Sequence, residues 1–393
     1  MMSPRRLVAG LLACVLALSA CGNSTDSTDA ATEAAQSDIP LSSLSAGLTV
    51  TAAQLRADPT ANTVISPASL QMAFAMLAAG VAVGSDAYNE LSTFLGTKAA
   101  GSTTVYGGLG EALRTGQGLG VVDLATAWGI RTDGGADISR VSVEAVAQSL
   151  GSTVEEGKLA DLQKALDAWT KSASRGLVKD LPPLADDVAL VILASLYAQQ
   201  GWAKKPDFAL LDFHAAGGEV STGPAMSWND VSVHDSKAYD YAVIPFAGNL
   251  QFEALMPASG DLANLSVTDW EITPDATMKV ELPHLELEGE TNVAQMLGDL
   301  SLTSITDVPS AITGFTEDGE GLIPEVIAQK AVLKLDQEGI EAAAVTQIQA
   351  VPTMLPVAEP DVLRFDRPLA FRVTDKESGW VLFYGAVNNP NPS

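Results

Sequence analysis

Residues 334–364 constrain the fold of this 393-residue chain more than any other stretch. Taken with period two from Ile340, one set is Ile340, Ala342, Ala344, Thr346, Ile348 and Ala350, small and apolar apart from the threonine. The alternate set, Glu341, Ala343, Val345, Gln347 and Gln349, carries the charge and both amides. Successive strand side chains point to opposite faces, so this segment can lie in a sheet with its even set in a core. Directly after it Pro352, Pro356 and Pro360 remove backbone donors, which excludes a central strand and predicts an extended solvent loop from Val351 onward. Composition alone favours a helix at 341–344, because alanine is the best helix former.

The ordered run Glu338, Gly339, Ile340, Glu341, Ala342, Ala343 and Ala344 resembles the hinge of a serpin reactive-centre loop, and this resemblance favours the strand over the helix. Phe365, Asp366, Arg367, Pro368, Leu369, Ala370 and Phe371 match the pattern that follows the loop in that family, and 380–386 resemble its C-terminal hairpin. A distant block, Asn62, Thr63, Val64, Ile65, Ser66, Pro67, Ala68, Ser69 and Leu70, is similar to the family's Asn-x-hydrophobic-hydrophobic-Ser-Pro-x-Ser-hydrophobic signature. The resemblance covers roughly 40–393. It implies an α+β serpin fold, with helices around a large mixed main sheet and smaller sheets, and an exposed reactive-centre loop at about 337–363.

The function implied is suicide inhibition of a serine protease, its covalent partner, by insertion of the cleaved loop into the main sheet. Counting along the family pattern from Gly339 places the scissile bond at Thr353–Met354, with Met354–Leu355 as second choice. Residues 335–363 hold no Lys or Arg, so nothing there pairs with the carboxylate of a trypsin-like pocket. Thr353 suits a shallow elastase-like pocket, and Met354 a chymotrypsin- or subtilisin-like one.

Residues 1–20 have a basic start at Arg5 and Arg6, an apolar run over 7–18 and small residues before Cys21. The run is short for a membrane span and suits a signal peptide. Leu18, Ser19, Ala20 and Cys21 look like a bacterial lipobox, which would make Cys21 the lipidated first residue of the mature chain. The expectation is anchorage to the outer face of a bacterial membrane, or secretion if Cys21 carries no lipid. The other cysteine, Cys14, would leave with the signal, so a disulfide in the mature chain is excluded. Residues 22–38 are Ser, Thr, Ala, Asp and Glu with almost nothing to bury, so a disordered tether is expected before a folded domain at 39–393. A net charge of −26 argues against nucleic acid as a partner, and the domain is expected to be monomeric.

Along the folded part, 70–82 are apolar almost all round, which predicts a helix buried on most of its surface, with Pro67 in the first turn and Ser66 as its cap. A helix is expected at 84–96 and a mostly buried strand at 121–130. The glycines of 107–120 lack nucleotide-loop spacing and default to a loop. Residues 162–177 resemble a family helix with Trp169 and Gly176, and 188–196 suit a central strand. Strands are expected within 241–257 and 278–287, and a solvated loop at 316–321.

By the resemblance, Ser66 and Ser69 form part of a polar cluster where the main sheet parts, and Trp202 packs where the loop first enters. Three positions depart from the family pattern: Ala194 stands where an asparagine is usual, Gln329 where a histidine is usual, and Ile340 where threonine or serine is commoner. Gln329 still donates and accepts, and none of the three is a charge or a proline.

Enzymatic readings find little support. His214, His234 and His284 are the only histidines, with no His-Glu-x-x-His motif, no Gly-x-Ser-x-Gly elbow and no calcium-loop spacing. No cofactor or metal is expected. The competing readings are a non-inhibitory serpin acting as a binding or chaperone-like module, and an unrelated solute-binding lipoprotein.

Overall fold

The structure is a computed structural model that describes residues 26–116, 118, 120–134, 136–307, 311–322, 328–340 and 361–390, with side chains from Asp38 onward apart from those of residues 294, 307 and 328. The signal segment, Cys21, the hinge residues Glu341, Ala342, Ala343 and Ala344, and the bond candidates Thr353, Met354 and Leu355 lie outside the described residues.

Helix α1 (Asp26–Ala57) leads to β1 (Thr63–Ile65), α2 (Pro67–Ala78), α3 (Asp86–Leu95) and α4 (Ser102–Thr115). Then come β2 (Val121–Arg131), α5 (Arg140–Leu150), β3 (Thr153–Gly157), α6 (Leu159–Ala173) and β4 (Leu190–Gln199). A run of strands follows: β5 (Asp207–His214), β6 (Val220–Asp235), β7 (Tyr239–Pro245), β8 (Leu250–Pro257), β9 (Ala276–Pro283) and β10 (Leu285–Asn292). The chain continues through α7 (Ser304–Asp307), β11 (Ala328–Asp336), β12 (Gly339–Ile340), β13 (Val362–Arg364), β14 (Leu369–Asp375) and β15 (Val381–Val387).

These elements give the expected α+β architecture. A nine-stranded sheet runs β1-β15-β14-β8-β7-β6-β9-β13, with β5 added to β6. Its pairs are antiparallel except β13 on β9. Two three-stranded sheets, β3-β2-β4 and β10-β11-β12, complete the fold. Every residue of β15 is buried, which explains why it reads as a continuous apolar run rather than an alternating one.

Within the large sheet one charged pair is largely buried, Glu253 more completely than Arg372. Arg372 on β14 lies opposite Glu253 on β8 and donates to its carboxylate through Nε at 2.9 Å and Nη2 at 2.6 Å. Gln251 Nε2 and Thr374 Oγ1 donate to the other oxygen. Burial pushes the Glu253 carboxyl up, but the Arg372 guanidinium and these hydrogen bonds outweigh it and hold the group below the ordinary carboxylate range.

Most expected elements are present, and three readings change. Residues 107–115 are not loop but the body of α4, where Tyr106, Leu109 and Leu113 make a buried stripe. Three glycines weaken the local helix signal, yet a side chain at Gly107 would crowd Leu150 Cδ2 and Ser149 O, both at 3.3 Å, so close packing on α5 selects glycine there. The strand expected to be central, β4, has a ladder only with β2 among the described residues, and its other edge is open. Finally, α1 begins at Asp26, inside the stretch expected to be a tether. Its alanines favour helix, while the first buried side chain among those described is Ile39, where the domain was expected to begin.

Candidate functional site

The end of β11 turns back on itself. Asp336 Oδ1 accepts from Glu338 N at 2.8 Å, closing the turn, and Gly339 and Ile340 return opposite Asp336 and Leu335 as β12. Gly339 has φ of 133°, a region L side chains rarely adopt, and a Cβ there would stand 1.9 Å from Gln200 O. Only glycine lets the two backbones meet. Beyond it, Ile340 N donates to Gln200 O at 3.0 Å and Gln200 N donates to Ile340 O at 3.3 Å. Ile340 is 2% exposed, so the third residue of the hinge run is seated as a strand between β11 and the end of β4.

Trp202 supports this seat. Its Nε1 donates to Asp336 O at 2.7 Å, and its ring stacks on Phe246 and meets Trp228 edge-on. Lys205 pairs with Glu338 at 2.6 Å, but both side chains are exposed and the pair adds little stability.

Beyond this mouth the sheets part. Among the described residues no ladder joins β4 to β11, so each presents an unpaired edge to a cavity of about 460 Å³. Ile192, Ala194 and Leu196 on β4, Ala331 on β11, and Phe74 and Leu77 on α2 line it. Residues 190–196 are only half-buried despite their apolar character, because no described strand covers their open edge.

One polar cluster interrupts the apolar lining. Ser66 caps α2, its Oγ accepting from Ser69 N at 3.2 Å. Gln329 Nε2 donates to Ser66 O at 2.7 Å and Ser69 Oγ at 2.9 Å, while its Oε1 accepts from Ser66 N at 3.0 Å. The amide thus ties β11 to the first turn of α2. Ala194 offers no matching polar group from the β4 side.

The far end of the loop is held separately. Val362, Leu363 and Arg364 run parallel to β9, and the nearly buried Glu281 carboxylate takes Arg364 Nε and Lys279 Nζ, both at 3.0 Å. Ile340 is thus seated in one sheet and Val362 to Arg364 are anchored in another.

Ser66, Ser69 and Gln329 are brought together, and Trp202 stands apart from them at the mouth. Gln200, Asp336 and His284 were not singled out in the sequence. The Asp336 turn had a local signal, an aspartate two residues before an amide it accepts from. His284 had none: extending the Leu285–Leu335 pairing by one residue places it opposite Asp336. Burial lowers the pKa of His284, with Asp336 opposing, and its Nε2 has no partner among the described residues.

The sequence matches the serpin (serine protease inhibitor) family over residues 44–390. It is 26% identical over 245 residues to an alpha-1-antitrypsin of Mus musculus, covering 58% of each chain. It is 29% identical over 248 residues to alpha-2-antiplasmin of Bos taurus, covering 58% of this chain and 48% of that one. The matched stretch thus spans about half the length of these curated relatives. Among solved structures, an Arabidopsis serpin in its native stressed conformation aligns with a TM-score of 0.74 at 18% identity, over 91% of this chain and 98% of that one. Human thyroxine-binding globulin aligns with a TM-score of 0.76 at 18% identity, over 92% and 100%. At such identities these structures speak to the fold alone. The family match runs through the α2 cap, the slot and both loop anchors, and the chain belongs to the serpin family.

Proposed function

We propose that this serpin is not an enzyme but an inhibitor that traps a serine protease as an acyl-enzyme. The observation that carries the reading is the apolar slot between two strand edges that no described strand joins, with the hinge residue Ile340 seated at its mouth. The target's serine attacks the carbonyl of the scissile bond, placed at Thr353–Met354 with Met354–Leu355 second; an ester forms on the acyl-side residue, and the new amine leaves. Freed at that bond, the chain from Ile340 to Thr353 enters the slot as a strand, the strand addition for which the family is known. Ala342, Ala343 and Ala344 offer little steric resistance to entry. Roughly 14 residues at about 3.3 Å each carry the tethered protease some 45 Å. Distortion of its oxyanion site then stops deacylation, which tolerates little misplacement.

The absence of Lys and Arg from 335–363 favours elastase-, chymotrypsin- or subtilisin-like targets. Incubation with one protease of each kind should give a complex that survives denaturing electrophoresis. Cleavage of the loop by all three without a complex would overturn the reading and favour a non-inhibitory binding role.

The lipobox-like residues before Cys21 and the polar segment after it support export and a lipid anchor on Cys21. Acyl labelling of wild type but not of Cys21→Ala is expected, and absence of label from both would remove the anchor.

A further inference from the structure

We propose that His284 and Asp336 make a proton-operated catch at the mouth of the slot: with His284 neutral, Asp336 holds the turn that seats Ile340, and a proton on His284 loosens that seat. The catch lies wholly in the uncleaved chain and goes beyond the inhibitory reading, since it needs neither a protease nor a cut.

Asp336 joins the parts of the mouth. Its Oδ1 accepts from Glu338 N at 2.8 Å and closes the turn, and its carbonyl accepts from Trp202 Nε1 at 2.7 Å. Its backbone faces Gly339, beside the Leu335–Ile340 rung. On the other side of β11, extending the Leu285–Leu335 rung of β10 by one residue brings His284 opposite Asp336. The imidazole is thus one strand away from the turn.

Cross-strand neighbours share a face, so the groups around the imidazole follow from the register. Glu286 on β10 and Lys334 on β11 form the next rung of that face and pair with each other at 2.7 Å. In the turn, Glu338 is paired with Lys205. From β6, Pro224 offers its carbonyl, which accepts from His284 N at 3.0 Å, and from β5 the apolar Leu210 stands opposite Pro224. Gly339 and Ile340 of β12 carry no charge. Asp336 is left as the charged group that acts on the ring.

His284 Nε2 is buried and has no hydrogen-bond partner among the described residues. A neutral ring tolerates this when Nε2 is its unprotonated nitrogen. The cation carries N–H on both nitrogens, and a buried charged donor without an acceptor is costly. Two responses are open to it: the cation stays unpaired, or the Asp336 carboxylate swings across and gives up Glu338 N. Either one favours an opened mouth, where water reaches Nε2, over the closed one. Burial lowers the pKa of His284 against the pull of Asp336, so the closed mouth loses stability as pH falls from about 6.5 towards the lowered value.

The test is amide hydrogen exchange of the intact, uncleaved chain from about pH 8 to 5, corrected for the intrinsic pH dependence of exchange. The reporters are the Ile340 and Gln200 amides, which donate across the mouth, with the buried β15 strand as the global reference. Protection of the two mouth amides should fall below about pH 6.5, by up to about tenfold for each unit between the opened and closed imidazole pKa, while that of β15 holds. His284→Asn should leave mouth protection flat across the range. Asp336→Asn keeps an acceptor for Glu338 N but removes the charge, so the fall should deepen and continue to lower pH. Constant or rising protection of the wild-type mouth in acid, a fall that β15 shares, or a fall that persists in His284→Asn would each overturn the catch. None of these outcomes bears on the inhibitory reading, which complex formation with a protease decides.

Discussion

Gln200 and Ile340 exchange two backbone hydrogen bonds, of 3.3 and 3.0 Å, at the mouth of a slot whose described edges are otherwise unjoined. On the proposed mechanism this rung would be the first of the inserting strand, formed before any cleavage. Closing a loop onto its first contact is an entropic cost, and here it is already met in the uncleaved state. The apolar Ile340 suits a residue that stays buried, where the polar residue commoner in the family would leave a hydroxyl to satisfy.

Gly339→Ala tests that rung. The positive φ and the close approach of Gln200 O leave no space for a methyl, so the substitution should destabilise the uncleaved protein by about 1–3 kcal/mol. Chemical denaturation reads the loss, and limited proteolysis should cut faster near the hinge. Unchanged stability and cutting would mean the rung is not occupied in solution.

Ala344→Glu acts on the inserted state. On the proposed insertion the even set would face inward, so the carboxylate would be buried without a partner at a cost on the order of several kcal/mol. Insertion should slow relative to deacylation, and the variant should be turned over as a substrate while its protease stays active. Undiminished inhibition would show that the face is wrongly assigned.

Arg372→Met should strand the buried Glu253 and lower stability by about 3–5 kcal/mol. The Glu253 carboxyl is held below its ordinary pKa, so its contribution is present above the ordinary carboxylate range and lost as pH falls through the folded value. Difference melting curves should therefore show the gap between wild type and Arg372→Met closing as pH falls below about 4. Adding Glu253→Gln should restore part of the loss at neutral pH.

His284 has the opposite chemistry. Burial lowers its pKa in the folded chain, so between that value and about 6.5 the unfolded chain binds the proton and the folded chain does not. Stability must rise with pH across this window. His284→Asn should flatten the wild-type decline in melting temperature between about pH 7 and 5. An identical decline in both proteins would show that the imidazole titrates as freely folded as unfolded.

The bond itself is open to direct measurement. Intact-mass analysis of the C-terminal fragment released by an inhibited protease should find it beginning at Met354 or, second, at Leu355. A different first residue would refute both placements, and efficient inhibition of trypsin through this loop would refute the pocket argument.

Local signals carried much of this fold. The Ser66 cap with Pro67 behind it, the all-round apolar α2 and the apolar run of β15 follow from which groups must be bonded or buried within a few residues of one another. The alternation after Ile340 likewise shows by itself that the segment is competent to be a strand. Tertiary structure decided the rest. That glycines belong inside α4 depends on how closely Leu150 and Ser149 approach. That β4 has no described strand on its second edge depends on how distant segments are placed, and that Gln329 serves Ser66 depends on a contact across 263 residues of chain. His284 meets Asp336 only through the register of β10 on β11. Propensity and periodicity act over a few residues, whereas a sheet edge, a slot and a cross-strand pair exist only once distant segments have taken up one register.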